Sequence, residues 1–276
     1  MSHKPPRSAM PSEKLGNEPS GLRGHSVDVM GRRIAVRDIP AVEPEVPTLV
    51  FLHEGLGCIE MWKDFPDLLA TATGCRALIY DRLGYGRSEM ADRPRDPLYF
   101  ENEAYQILPA LLSACGVTNP VLIGHSDGGT IALLNAGHSA VRGIITEAAH
   151  VFVEPESIAG VAAAKEAWQD EAFRRRLTRY HGGGTVEMFA AWADMWSASW
   201  FRDWNMEAAL ASIDCPVLAI QGIEDEYGTP DQVDAIRRGV TGAVQTLLVP
   251  DCGHAPHIQA RGPVLTRMTS FINSLS

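Results

Sequence analysis

The chain has 276 residues, 45% of them hydrophobic and 21% charged, with a formal net charge of −10. That length suits one large domain or a domain with an insertion and excludes a disulfide miniprotein. The acidic balance provides no broad phosphate-binding surface, so nucleic acid and membrane are set aside as partners and a small molecule is expected.

Five cysteines, Cys58, Cys75, Cys115, Cys215 and Cys252, are scattered without a C-x-x-C pair. Their odd number fits free thiols in a reducing cytoplasm better than a secreted framework. No apolar run approaches the roughly 18 residues of a membrane span, and the N-terminus lacks the apolar stretch of a signal peptide. The expected location is cytoplasmic, and a homodimer stays open.

Residues 1–24 are rich in Pro, Ser, Gly and charge without a period and read as a flexible tail. Short β-rich runs follow at 25–30, 32–38, 48–53, 77–81, 120–124, 143–147, 217–222 and 244–249. Most of the later ones precede a segment of helical spacing, at 61–73, 101–115, 129–138, 230–240 and 263–275. This alternation predicts an α/β domain with a mostly parallel sheet and helices on both faces. The rhythm breaks at 153–206, where two helical runs, 158–179 and 186–204, flank Gly182, Gly183 and Gly184. That segment is expected to be a helical insertion on a core formed by 25–152 and 207–276.

The strongest chemical signal is VLIGHSDGG, Val121 to Gly129, in which a buried strand meets G-x-S-x-G and a helix pattern follows at once. A sharp strand-to-helix turn would hold Ser126 at its tip, and its neighbours must be glycine because side chains there would collide. A serine hydroxyl needs a base, and the base needs an acid to fix its tautomer. Asp225 follows the strand ending at Gly222, and His254 follows the strand ending near Val249. Loops beyond the carboxyl ends of parallel strands open on one edge of the sheet, so the three side chains can meet.

In that order of nucleophile, acid and histidine the chain resembles the α/β-hydrolase superfamily from about residue 25 onward. LHEGLG at 52–57 is similar to the His-Gly loop after the third strand, DRLGYGRS at 81–88 to the D-x-x-G-x-G-x-S loop, and the insertion falls where these enzymes carry a lid. The resemblance implies an eight-stranded sheet, a serine hydrolase needing no cofactor, and an oxyanion hole formed by the backbone N–H groups of Gly55 and Asp127. Glu54 departs from the pattern, which usually has Gly there. It places a carboxylate either at the pocket mouth, disfavouring acidic substrates, or bonded away from the site.

Rival readings are weaker. Glu224 and Glu226 flank Asp225, but the spacing from Gly222 resembles the family's G-x-x-D. His254 and His257 form H-x-x-H without a supporting cysteine or carboxylate cluster, and in H-E-x-x-H the second histidine is replaced by Gly57, so no metal is expected. His125 reads as a strand-end residue supporting the turn. GYG at 84–86 lacks the third glycine of a dinucleotide fingerprint. Trp192, Trp196, Trp200 and Trp204 recur every four residues and read first as a packed face, with Trp192 and Trp196 as candidate pocket walls; a helical break near Ser197 to Ser199 would spoil the stripe. Arg174, Arg175, Arg176 and Arg179 read as a solvated face.

The expected activity is hydrolysis of a small or medium carboxylic ester. Thioesters, lactones and dicarbonyl carbon–carbon bonds are alternatives, and a ligand-holding receptor is the alternative of another class.

Overall fold

The computed structural model describes residues 24–42, 46–91 and 94–275, so the N-terminal segment read as a tail lies almost wholly outside the described residues. Eight strands, β1 (Gly24–Val29), β2 (Arg32–Ile39), β3 (Thr48–Leu52), β4 (Arg76–Tyr80), β5 (Val121–His125), β6 (Gly143–Glu147), β7 (Val217–Gly222) and β8 (Val244–Val249), form one sheet in the order β1-β2-β4-β3-β5-β6-β7-β8. β1 and β2 pair antiparallel, as do β2 and β4, while every pairing from β4 to β8 is parallel.

The central strands are apolar on both faces because both are covered. Along β3, Val50 and Leu52 join one core with Leu122 of β5, while Leu49 and Phe51 join the other with Val121 and Ile123. Helices α1 (Phe65–Thr73) and α11 (Arg261–Asn273) cover the second face through Phe65, Leu69, Met268 and Phe271. The first face takes α2 (Tyr99–Asn102), α3 (Leu108–Ala114) and α4 (Asp127–Ala136). Between α2 and α3 the helix widens into a π turn over Glu103–Ile107, directly before Pro109, which has no N–H for a regular helical bond.

The chain leaves β3 for β4 and then returns past β3 to β5, so the strand order reverses between the adjacent strands β3 and β5, where Leu52 faces Gly124. Such a reversal opens a crevice at the carboxyl ends. Into it run the loop at residues 53–57 and the turn at Ser126.

Between β6 and β7 lie α5 (Pro155–Ala167), α6 (Glu171–His181), α7 (Thr185–Ser197) and the short α8 (Glu207–Leu210). The base of this excursion is closed where Val153 N donates to Trp204 O at 3.1 Å and Met206 N donates to Val151 O at 2.8 Å. Its far end is pinned by His181, whose Nδ1 accepts from Gly86 N and whose Nε2 donates to Leu56 O, both at 3.0 Å.

One sequence expectation fails here, and the break foreseen near 197–199 is found. The single run 158–179 is two helices, because Asp170 accepts from Ala172 N at 2.9 Å and starts a new helix. The four-tryptophan stripe ends at α7, where Ala198 is extended (φ −69°, ψ 140°), leaving Trp200 in a short 3₁₀ turn and 45% exposed. Beyond β7, α9 (Asp231–Gly239) joins the first face through Val233 and Ile236, and α10 (Pro256–Gln259) precedes α11.

Candidate active site

β5 ends at His125 and α4 begins at Asp127, which isolates Ser126 in the turn at φ 51°, ψ −119°. An L-residue pays strain in this region, and such strain persists only where the surroundings enforce it. A Cβ on Gly124 would lie 2.3 Å from Gly128 O, and one on Gly128 would lie 2.1 Å from Leu52 O. Only glycine fits at either place. Ser126 N donates to Glu147 O at 2.8 Å, and Ser126 O accepts from Gly129 N at 2.8 Å, so the turn is fixed on both sides.

The loops after β7 and β8 bring Asp225 to His254, whose Nδ1 lies 2.8 Å and 2.9 Å from the two carboxylate oxygens. Gln221 Nε2 donates to Asp225 Oδ2 at 2.7 Å and Tyr227 N to Oδ1 at 2.8 Å. Burial raises the Asp225 pKa, but the bond to His254 and the Tyr227 N–H outweigh it, and the carboxyl sits below its ordinary range. The flanking acids do not bond the imidazole: Glu224 accepts from Cys252 N at 2.8 Å and Glu226, which also borders the cavity, from His254 N at 3.3 Å, holding the histidine loop.

Ser126 and His254 share the wall of a cavity of about 400 Å³, closed over by Trp192, Trp196, Phe173 and Leu177 of the insertion. That volume suits a small or medium ligand.

Gly55, in the loop after β3, meets this wall closely, since a Cβ there would fall 2.3 Å from Trp192 Nε1 and 3.2 Å from Asp127 Oδ2. Among the described residues the N–H groups of Gly55 and Asp127 are given to no acceptor. Both residues are held from behind. Tyr85 Oη donates to Gly55 O at 2.9 Å and also contacts Arg95, while Arg82 Nη2 donates to Glu54 O at 2.8 Å. The Asp127 side chain is buried and points inward, accepting from Arg95 Nη1 at 2.9 Å and Trp196 Nε1 at 3.3 Å, with Arg82 Nη1 at 3.6 Å. Burial would raise its pKa, yet the two guanidinium groups hold it below the ordinary value.

Glu54 and His125 form a pair at 3.4 Å beside Ser126. Burial opposes the charged imidazole, but Glu54 more than offsets this and lifts His125 to about 9. Glu54 is lowered correspondingly, because His125 outweighs its burial. Glu54 therefore lines the cavity as half of an ion pair. The sequence argument that it would disfavour acidic substrates loses its basis. His257 does not face His254 across a metal; its Nδ1 lies 2.6 Å from the buried Glu147.

Trp192 and Trp196 both line the cavity and are both buried. Arg175, Arg176 and Arg179 are exposed, as a solvated face requires, with Arg176 also bordering the cavity, while Arg174 is half-buried and its Nη1 donates to Trp168 O at 2.7 Å at the end of α5.

Sequence reasoning missed Arg82, Tyr85, Arg95, His150 and Tyr227. Arg82 and Tyr85 sit inside the loop 81–88 that reads only as a support, and no spacing relates Arg95 to Asp127. His150 had a usable signal, since it lies three residues past the carboxyl end of β6, on the functional edge of the sheet. Tyr227 holds its ring 4.6 Å from that of His254 at a 48° tilt, and burial pushes its hydroxyl up to about 12.

A strained serine on a strand–turn–helix, facing a histidine–carboxylate pair across an apolar cavity, defines an α/β hydrolytic architecture. The chain belongs to the alpha/beta hydrolase family, which it matches over residues 49–266. It is 26% identical over 222 residues to a proline iminopeptidase of Levilactobacillus brevis, covering 64% of this chain and 72% of that protein. A Lactobacillus helveticus proline iminopeptidase is 34% identical over 90 residues, a match spanning 33% of this chain and only 30% of the relative. Among solved structures, a membrane phospholipase A superposes with a TM-score of 0.74 at 21% identity, covering 92% of this chain and 87% of that one. A thermophilic esterase from Thermogutta terrifontis gives 0.70 at 19% identity, with coverage of 92% and 99%. These two likenesses speak to the fold.

Proposed function

We propose that the protein is a serine hydrolase acting on a small or medium carboxylic ester through an acyl-enzyme. Ser126 attacks the acyl carbon, His254 takes its proton and passes it to the leaving alcohol, and Asp225 orients and stabilises the imidazolium. The N–H groups of Gly55 and Asp127 receive the oxyanion. Water repeats the steps, with His254 as base, and releases the acid. All these groups come from the chain itself, and the scheme calls for no cofactor.

The observation that carries this reading is the strained Ser126 turn opening on the same cavity as His254, whose Nδ1 lies 2.8 Å from Asp225. An ester rather than an amide is favoured by the cavity, whose wall is mostly aromatic and aliphatic. The likeness to proline iminopeptidases favours a second reading, cleavage of an N-terminal proline amide, with Glu226 at the cavity as a partner for the substrate ammonium. Thioesters, lactones and dicarbonyl carbon–carbon bonds fit the same machinery.

Purified protein assayed on ester, thioester, lactone, dicarbonyl and proline-anilide panels tests the reading. Ester turnover at least about tenfold above every other class is expected. Preferred cleavage of the anilide would replace the ester reading, and ligand retention without turnover would make the protein a receptor. The five free thiols, none in a disulfide, support a reducing compartment. No helix among the described residues is long and apolar enough to cross a membrane.

A further inference from the structure

Two polar side chains that the proposed chemistry leaves unused line the same cavity. His150 is 3% exposed, and Ser157, in the first turn of α5, is 1% exposed. His150 Nε2 lies 3.0 Å from the carbonyl oxygen of Tyr227, which can only accept, so the ring proton resides on Nε2. Burial first and the neighbouring His254 second lower the His150 pKa, leaving the imidazole neutral and Nδ1 a lone-pair acceptor. Among the described residues neither His150 Nδ1 nor Ser157 Oγ has a hydrogen-bond partner. Buried polar atoms are nearly always paired, so two orphans on one cavity wall point to a ligand that pairs them.

The chemistry of the two atoms narrows that ligand. A neutral imidazole nitrogen accepts, whereas a serine hydroxyl both gives and takes. The group that complements such a pair is one that can donate and accept, which a hydroxyl does and an ether or an alkyl group does not. Asp127 adds no free charge nearby, being already engaged by Arg95. The His150 ring centroid lies 6.0 Å from that of His254 and 5.0 Å from that of Trp196, which keeps the hydroxyl within a few bonds of the reacting carbonyl.

We infer that the substrate is a hydroxylated ester, whose hydroxyl group donates to His150 Nδ1 and is contacted by Ser157 Oγ. This rests on the reading that Ser126 is acylated, and it adds a specificity subsite to it. His150 acts in recognition and not in the proton transfers.

The test uses matched methyl esters whose acyl chain carries a hydroxyl, a methyl ether or a hydrogen at the second, third or fourth carbon, and a parallel set with the hydroxyl on the alcohol side. For the wild-type protein, kcat/KM for one hydroxy ester is expected to exceed both its deoxy and its ether partner by about tenfold or more, the usual effect of leaving a buried polar group unpaired. The ether keeps the acceptor and loses the donor, so its failure identifies donation to His150. His150→Phe should bring the three esters within about twofold of one another. Ser157→Ala should remove part of the preference.

Equal turnover of hydroxy, deoxy and ether esters by the wild type overturns the inference, however the variants fold. A hydroxyl preference that persists in folded His150→Phe also overturns it. Binding of the same esters to Ser126→Ala, followed by quenching of tryptophan fluorescence, separates the two claims. Hydroxyl-selective binding with no ester turnover by the wild type would sink the hydrolase reading and keep the subsite.

Discussion

Glu54 Oε2 lies 3.4 Å from His125 Nδ1, and the other nitrogen of that imidazole stands 2.6 Å from the carbonyl oxygen of His254. A carboxylate that the sequence offers as a substrate filter is thereby coupled to the loop carrying the candidate base. His125 rises from 6.5 to about 9 in the folded protein, so between those values the native state holds a proton that the unfolded chain has released. The stability from the pair is fully present below about 6.5 and is lost as pH rises through about 9. On the order of 2 kcal/mol is at stake, discounted for the partial exposure of Glu54. Thermal melting from pH 7 to pH 10 should fall by several degrees more in the wild type than in Glu54→Gln. Parallel curves would show that the pair does not couple.

The clamp behind Gly55 and Asp127 gives a kinetic prediction. Arg95→Met removes a donor to the Asp127 carboxylate and a contact to Tyr85, which itself bonds Gly55 O. If those contacts aim the two N–H groups at a developing oxyanion, kcat should fall about 10- to 100-fold with KM little changed. Tyr85→Phe should cost less. A rise in KM at unchanged kcat would assign these residues to ground-state binding.

The framework was legible because it is written in local patterns. Both faces of β3 are buried, which makes 49–52 a continuous apolar run, and the glycines at 124 and 128 mark the turn whose sterics admit nothing larger. Ser126, Asp225 and His254 each follow a strand, so the parallel sheet alone converges them. What escaped the sequence depends on side chains crossing between loops. Arg82 and Arg95 look like solvent charges until Asp127 and Glu54 O are placed beside them. The tryptophan spacing alone could not decide between a continuous stripe and a break near 197–199, and the extended Ala198 shows the break.

Acid should destabilise the protein through its neutral histidines. His53, His150 and His181 all have pKa values lowered first of all by burial, so below about 6.5 the unfolded chain binds protons that the native state refuses. Stability therefore falls as pH drops from 7.5 to 6. His125, raised to about 9, opposes this trend between pH 7.5 and 6, one group against three, and Asp81, raised by burial to about 6, opposes it only below that value. Melting curves at pH 7.5 and 6 check it, and His181→Gln should flatten the difference. An unchanged or rising melting temperature toward pH 6 contradicts the assignment.

Trp192 sets the size of the cavity where it meets Gly55. Trp192→Ala should shift the preferred acyl chain to longer esters while costing about 3–5 kcal/mol of stability, typical of a buried aromatic truncation. A chain-length profile identical to the wild type would remove Trp192 from the acyl wall.

The most direct measurement is covalent: intact-protein mass spectrometry after reaction with a fluorophosphonate, followed by peptide mapping. The account predicts one adduct on Ser126, absent from Ser126→Ala although that variant melts like the wild type, and slowed at least about 100-fold in His254→Ala. Equal labelling of Ser126→Ala, or an adduct mapped to another residue, would contradict it.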